Sequence, residues 1–351
     1  VLATSRVALR LASEHEYRVP PRGIPDQGAQ SAAAIGESAA VRLYVDRVQA
    51  VVSAFQLGDD NAPAVARICC ALDGLPLAIE LAAARVRVLG PEGTAKRLGE
   101  RLALLARDAA DLPPRQRSLR ATIDWSYELL DDEARGVFRL LGVFNGDASL
   151  DAIEPVIGTD ATTGLEALLD ADLVVHHADA NGEPRFGMLE TIREYALARL
   201  AEAGEERGAR ERHLDHFLAV VEDYAERERE TGGSPARLDA AEADLADIRA
   251  ALAWAESCDD PERQLRLVVA HRFWFFTRGD RAEQRRAVGV ALERSESVTP
   301  VLRARIVLEA GLVAGDERDE ERAVSLYRSA LPALEEAGDG VSLGLAYSWI
   351  G

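Results

Sequence analysis

The sequence predicts a mainly α-helical protein with one short β-hairpin. Ala, Leu, Arg and Glu, which favour helices, dominate the 351 residues, whereas aromatic residues make up only 5%. Apolar residues recur at helical spacing over most of the chain. Clusters of glycine and proline divide these segments into short helices in the first half and helical pairs in the second.

The overall composition restricts the classes of function. The formal net charge is −19, and so acidic a chain repels phosphate backbones, which disfavours general nucleic-acid binding. Cys69, Cys70 and Cys258 form no CxxC pair, which favours a reducing, cytoplasmic setting. The sequence contains no signal peptide or membrane-spanning run. We expect both ends, Val1 and Gly351, to be cut within a longer protein.

A compact helical subdomain is predicted at residues 39–110. Residues 1–6 have the pattern of the end of a buried strand, and residues 7–38 contain prolines and glycines typical of a linker. Pro76 and Pro91 stand at first-turn positions, where the missing N–H costs nothing. Four short helices with brief connections form a bundle, and they are predicted at 41–55, 64–72, 76–88 and 91–107.

A winged helix is predicted at residues 111–212. Either Asp131 or Asp132 is expected to cap one of its helices. A strand at 173–175, a turn at 179–182 and a return strand at 185–188 form the predicted hairpin. The helices around this hairpin are predicted at 118–129, 132–143, 150–157, 165–170 and 189–203.

Helical repeats are predicted to fill the truncated domain at 213–351. The second helices of two pairs begin after Gly279-Asp280 and after Gly315-Asp316. Gly311 and Gly351 occupy comparable places 40 residues apart, which indicates tetratricopeptide-like repeats over 235–351. The four aromatic residues 273–276 either pack between repeats or form part of a ligand or partner groove.

Four segments, in order, resemble one family. Residues 74–85, GLPLAIELAAAR, resemble the GLPLA motif of NB-ARC-type ATPases, the STAND group of signalling switches. Residues 2–6, LATSR, resemble the sensor strand of that family. Residues 120–130 and 188–196, RATIDWSYELL and MLETIREYA, resemble the winged-helix part of large bacterial transcriptional regulators of the LuxR and antibiotic-regulatory types. The resemblance covers residues 1 to about 220.

This resemblance implies ATP or ADP as cofactor, with Mg²⁺ held by residues upstream of the chain. Arg6 matches the sensor arginine that approaches the terminal phosphate, and Pro76 matches the proline that packs against adenine. Without the family context, Arg6 would be a salt-bridged strand end and Pro76 a simple helix start. The implied nucleotide-binding set is Arg6, Thr4, Ser5, Pro76, Leu75 and Leu77.

Two departures from the family pattern limit the expected chemistry. No P-loop motif is present, and Lys96, the only lysine, lies on a predicted helix. Residues 1–38 are therefore predicted to be the C-terminal remnant of the nucleotide-binding core, and the chain alone should not hydrolyse ATP. We expect the intact parent to be a slow P-loop ATPase. Leu189 replaces the histidine that binds the β-phosphate in the family, and Arg193 is expected to pair with Glu190 or Glu194.

Other motifs predict no catalytic residue and no metal site. The candidate recognition helix at 162–170 carries Glu166 and Asp170 but no Arg or Lys, which favours a relay rather than DNA reading. His213 and His216 share a helix face that is expected to be solvated rather than metal-binding.

The sequence therefore predicts part of an ATP-binding STAND switch that regulates transcription. Its repeats would bind protein partners or a small inducer, and DNA would be bound only by a separate domain. No membrane contact is expected, and an ATP-dependent oligomer is compatible with the family. The alternatives are a nucleotide-cyclase or antiphage-defence output on the same framework, or a non-catalytic protein-binding scaffold.

Overall fold

The computed structural model describes residues 22–26, 31–96, 119–179, 182–231, 242–258, 260–272 and 281–350. The chain divides into two compact units. The first contains Val1–Val143 and Ser149–Glu206, and the second contains Phe144–Ala148 and Arg207–Gly351. In the described part of the chain, no helix combines the length and apolar character needed to cross a membrane.

Between residues 31 and 96, the structure describes four helices around a shared core. They are α1 (Ala32–Gly36), α2 (Ala39–Val51), α3 (Ala62–Ala71) and α4 (Pro76–Lys96). The Ser31 and Ser38 hydroxyls accept hydrogen bonds from Ala34 and Val41 and so cap α1 and α2. The core contains Val41, Tyr44, Val48, Val65, Ile68, Cys69, Ile79 and Ala82.

Helix α4 is interrupted at one residue. Gly90 has a φ of 66° and a ψ of 169°, and Pro91 begins the following helical stretch. The predicted boundary between two helices at this point is therefore confirmed. The short helix α1 lies within the region predicted as a linker, so that prediction was wrong for residues 32–36.

The elements of the winged helix follow, and all of them except Ala148 belong to the first unit. Its helices are α5 (Leu119–Glu128), α6 (Asp132–Leu141), α7 (Leu150–Ile157), α8 (Thr162–Asp170) and α9 (Glu190–Glu202). Asp131, rather than Asp132, caps α6 by accepting from the Ala134 N–H at 2.8 Å. The strands are β1 (Ala148–Ser149), β2 (Val175–Ala178) and β3 (Pro184–Gly187), in the sheet order β1-β3-β2. Strands β2 and β3 are antiparallel, with Val175 opposite Gly187.

The predicted first strand of the hairpin was wrong by about two residues. Asp172 adopts a φ of 54°, and the Leu173 N–H donates to the Leu168 carbonyl at 3.0 Å. Leu173 therefore still belongs to the end of α8, and pairing with β3 begins only at Val175.

Two segments that resemble regulator motifs pack against each other in the winged helix. The Tyr195 hydroxyl donates to Asp124 at 2.6 Å. The rings of Tyr127, Phe138 and Tyr195 lie with centroids 5.3–6.1 Å apart. Tyr127 and Tyr195 of these segments thus pack with Phe138 in the domain core.

The described part of the second unit from Arg207 onward is mainly helical. Its helices are α10 (Glu206–Thr231), α11 (Leu245–Ser257), α12 (Pro261–Ala270), α13 (Arg281–Glu293), α14 (Pro300–Asp316), α15 (Glu320–Ala337) and α16 (Gly340–Ile350). Helices α12, α14 and α16 begin at residues 261, 300 and 340, close to the predicted spacing of 40 residues. The predicted helical-repeat fold is confirmed for the described helices, whereas the aromatic residues 273–276 lie outside the described residues.

Candidate functional site

The turn between α3 and α4 contains the GLPLA segment and has a constrained backbone. Asp73 and Gly74 follow α3 with φ values of 53° and 66°. The Gly74 N–H donates to the Cys69 carbonyl at 3.2 Å, which closes the end of α3. Pro76 begins α4 and its side chain is exposed, while Leu75 beside it is half-buried.

A separate piece of chain runs across this turn. The Arg22 N–H donates to the Gly74 carbonyl at 3.0 Å. A Cβ atom on Gly74 would lie 2.0 Å from the Arg22 carbonyl oxygen, so only glycine fits here. The Gly23 carbonyl accepts from the Ser38 hydroxyl at 2.7 Å and from the Ala40 N–H at 3.1 Å. The turn is thus fastened to the start of α2.

The structure describes only part of the predicted nucleotide-binding set. Leu75 and Pro76 lie side by side at the start of α4. Thr4, Ser5 and Arg6 lie outside the described residues, as does the side chain of Leu77. Lys96 is the last described residue of α4 and lies on a helix, as predicted.

Asp73 connects the turn to the winged helix. Its carboxylate accepts from the Glu190 N–H at 2.8 Å, 117 residues further along the chain. Glu190 is the first residue of α9, whose N-cap residue, Leu189, has no side-chain oxygen to offer. Asp73 therefore satisfies a backbone N–H that the helix's own sequence leaves unbonded. Local sequence patterns gave no signal for this contact.

The first turn of α9 contains an ion pair and a buried hydroxyl. Arg193 donates two hydrogen bonds to Glu190, at 2.7 and 2.9 Å, which confirms one of the two predicted pairings. Thr191 is fully buried, and its hydroxyl finds no hydrogen-bond partner among the described residues. By resemblance to the NB-ARC family, Leu189 stands where that family carries histidine. Of the side chains that follow it, Glu190 and Arg193 pair with each other on α9, and Thr191 is buried.

Two potential nucleophiles in the interior behind the turn, Cys69 and Tyr44, are buried. Burial raises the pKa of the Cys69 thiol to about 12, and it also raises the pKa of Tyr44 above its ordinary value. Both groups remain protonated at neutral pH. Cys69 has no exposed surface and belongs to the core of the first unit. Neither group is therefore available as a nucleophile at neutral pH.

The exposed face of the winged helix is acidic. Glu166 and Asp170 are exposed on α8, the helix at the recognition position. Residues 130–201 contain 14 acidic residues against five arginines. Among the described residues, no three His, Cys, Asp or Glu side chains gather as metal ligands.

A groove in the second unit is the other candidate binding surface. The first helix of each successive pair, α10, α12, α14 and α16, contributes to its lining, and its cavity volume is about 140 Å³. Arg266 and Arg305 occupy the sixth position of α12 and α14 and pair with Glu222 and Asp339 at 2.7 and 2.8 Å. Apolar side chains, among them Leu302 and Val269, complete the lining. Such a surface suits a ligand or peptide with both apolar and charged groups.

The histidines predicted on a solvated face of α10 behave differently. His213 is 3% exposed and bonds to Asp247, so the prediction was wrong for this residue. His216 is half-buried beside the Phe217 ring.

Comparison with known proteins gives one domain match and several relatives. The winged helix-turn-helix domain family matches residues 130–201. A Mycobacterium tuberculosis (strain ATCC 25618 / H37Rv) protein, named provisionally as an HTH-type transcriptional regulator, is 37% identical over 283 residues. The match covers 78% of this chain but only 30% of that protein. A second protein of the same strain, named as uncharacterized, is 35% identical over 223 residues, which are 62% of this chain and 54% of that protein.

One solved structure is also similar. It is the crystal structure of a STAND protein with a tetratricopeptide repeat sensor from Pyrococcus horikoshii, at 11% sequence identity and a TM-score of 0.24. The match covers 89% of this chain and 56% of that one.

Proposed function

We propose that this chain is part of a nucleotide-dependent switch of the STAND type that regulates transcription. The observation that carries the proposal is the hydrogen bond from the Glu190 N–H to Asp73. It joins the GLPLA turn, which the resemblance assigns to adenine binding, to the first residue of a winged-helix element. The M. tuberculosis relative named as a transcriptional regulator supports the same type of output.

ATP or ADP is the proposed ligand, with Mg²⁺ bound by residues outside this chain. Pro76 and Leu75 would pack against adenine, together with Leu77. Arg6 would contact the terminal phosphate, where its planar charge suits detection of that group, and Thr4 and Ser5 would add hydroxyl contacts. ATP hydrolysis would belong to the intact protein and would be slow.

The nucleotide state would reach the winged helix through Asp73. A shift of the GLPLA turn on nucleotide exchange would move the Asp73 carboxylate. The hydrogen bond from the Glu190 N–H at the start of α9 to Asp73 would then be present in one nucleotide state and broken in the other. The winged helix acts here as a relay, because its exposed recognition helix is acidic and would repel the DNA backbone. DNA would be bound by a separate domain.

The groove of the second unit is the proposed sensor surface. Protein partners or a small inducer would bind along the first helices of the repeats, where apolar side chains alternate with Arg–acid pairs. Binding that differs between the two nucleotide states would then shift the switch.

The test is nucleotide binding by the full-length protein, measured by isothermal titration calorimetry with Mg·ATP. We expect Arg6→Ala and Pro76→Ala each to weaken binding by roughly tenfold, the loss of one charged or apolar contact. Pro91→Ala is the matched control, because Pro91 also begins a helical stretch but lies outside the GLPLA segment. Binding that is unchanged in both variants would reject the nucleotide role and favour the scaffold.

A further inference from the structure

Five residues of the winged-helix sequence belong to the second unit. Phe144–Ala148 follow α6 in sequence and group with the residues from Arg207 onward, although Ala148 is also the first residue of β1, which pairs with β3. We name these residues the link. Its ends are covalently continuous with Val143 and Ser149 of the first unit.

A buried aspartate fastens the link. Asp247 on α11 has no exposed surface, and its Oδ1 accepts from the Asn145 N–H at 2.7 Å. The same oxygen lies 3.0 Å from Nε2 of His213 on α10, whose side chain is 4% exposed. Three segments far apart in sequence therefore meet at one carboxylate oxygen.

The surroundings of this carboxylate are apolar and close-packed. The rings of Phe144 and Phe217 lie 5.2 and 4.6 Å from the His213 ring. Oδ2 of Asp247 is buried without a hydrogen-bond partner in the described part of the chain, and a Cβ on Gly146 would lie 3.4 Å from it. Because a buried carboxylate is costly unless it is paired, the two contacts at Oδ1 are what make this position tolerable.

We propose that Asp247 and His213 form a clamp through which the helical repeats hold the link and pass their conformational state to the winged helix. A movement of α11 away from the link would separate Asp247 from the Asn145 N–H, and a movement of α10 would take His213 away from the same carboxylate oxygen. The release of Asn145 would free the chain that connects α6 to β1 and α7. The direction of this signal rests on the proposed switch function, whereas the clamp itself does not.

Hydrogen exchange of the full-length protein tests the clamp. In Asp247→Ala we expect the amides of residues 144–148 to exchange about tenfold faster or more, since a buried donor loses its acceptor. Asp247→Asn keeps an oxygen acceptor but removes the charge, and its effect should be smaller, roughly threefold to tenfold. If Asp247→Ala does not fold, the exchange rates of the link amides in Asp247→Asn test the clamp.

Asp260→Ala is the matched control. Asp260 caps α12 in the same unit by accepting from the Arg263 N–H at 3.1 Å, and it is not bonded to the link. It should loosen α12 and leave residues 144–148 unchanged. If the amides of residues 144–148 exchanged equally fast in Asp260→Ala and Asp247→Ala, the faster exchange would reflect a general loss of stability. That result would overturn the proposal.

A second readout distinguishes coupling from a merely structural role. Addition of Mg·ATP to the wild-type protein should alter exchange in residues 242–258, and the change should disappear in Asp247→Asn. Persistence of the full change in the variant would overturn the clamp as a coupling element. If Mg·ATP altered exchange nowhere in either protein, the proposed nucleotide function would fail, and the link amides would still decide whether the clamp exists.

Discussion

Two buried ionisable side chains in the second unit respond to pH in opposite directions. Burial raises the pKa of Glu309 to about 8, although Arg272 lies 3.6 Å away and favours the charged form. Burial lowers the pKa of His271 to about 4. The Glu309 contribution to stability is present below its unfolded pKa and is lost as the pH rises through about 8. The His271 contribution is lost as the pH falls from about 6.5 through about 4.

The substitution Glu309→Gln isolates the first of these effects. Between pH 6.5 and pH 9 the wild-type second unit should lose roughly 2 kcal/mol that the variant retains, because an amide at this position never ionises. The measurement is native-state hydrogen exchange of the α14 amides at both pH values. This pH range lies above the one in which His271 titrates.

Glu336→Gln serves as the control for Glu309→Gln. Glu336 is an exposed carboxylate on α15, and its removal should leave the pH dependence of the α14 amides as it is in the wild type. An equal loss in Glu309→Gln and in the wild type between pH 6.5 and pH 9 would show that ionisation of Glu309 does not cause it.

Residue contacts could be predicted from the sequence only when they were local. The pair of Arg193 with Glu190 follows from a spacing of three residues on one helix, and it was predicted. Asp73 and Asp247 were missed, because their backbone partners lie 117 and 102 residues away. The spacing of His213 and His216 predicted a shared face but could not reveal that Asp247 buries one of them.

At the scale of elements, periodicity and capping residues located the longer helices. Helix α7 begins and ends where it was predicted, with Ser149 as its cap. Short elements were less predictable. Helix α1 has five residues, and β1 has two that depend on pairing with β3, so neither carries a periodic pattern of its own.

The contact between α14 and α15 depends on a glycine. A Cβ on Gly311 would lie 2.4 Å from Cε1 of Tyr327, whereas a Cβ on Gly315 in the same helix meets nothing within 4 Å. Gly311→Ala should therefore destabilise the second unit by roughly 1–3 kcal/mol through overpacking. Gly315→Ala, the matched control, should be neutral or stabilising by about 0.5–1 kcal/mol, because alanine favours the helix.

Urea unfolding of the two glycine variants, followed by hydrogen exchange of α15, measures this difference. Exchange in α9 of the first unit should stay at the wild-type level in both variants, which separates a local effect from a general one. Equal stability of Gly311→Ala and Gly315→Ala would show that Tyr327 can move aside without cost.

At the scale of the whole molecule, the order of helical subdomain, winged helix and repeats was predicted from motifs and from clusters of glycine and proline in the sequence. The assignment of residues 144–148 to the second unit was not, because it depends on tertiary contacts of Asp247 and His213 that no local pattern encodes. The net charge of −19, by contrast, can be read directly from the sequence, and it restricts the classes of ligand that the chain can bind.

The charge distribution predicts that this chain does not bind duplex DNA, although it contains a winged helix-turn-helix domain. A protein gains affinity for DNA by releasing counterions from phosphates, which requires Lys or Arg at the contact surface. The domain instead has 14 acidic residues against five arginines, and its recognition helix exposes Glu166 and Asp170.

Fluorescence anisotropy with a labelled random duplex at low salt should show no saturable binding. The variant Glu166→Arg/Asp170→Arg should gain weak binding that falls steeply with added salt, because two basic side chains then face the groove. Saturable binding by the wild-type chain would contradict the relay role and would indicate that the winged helix binds DNA.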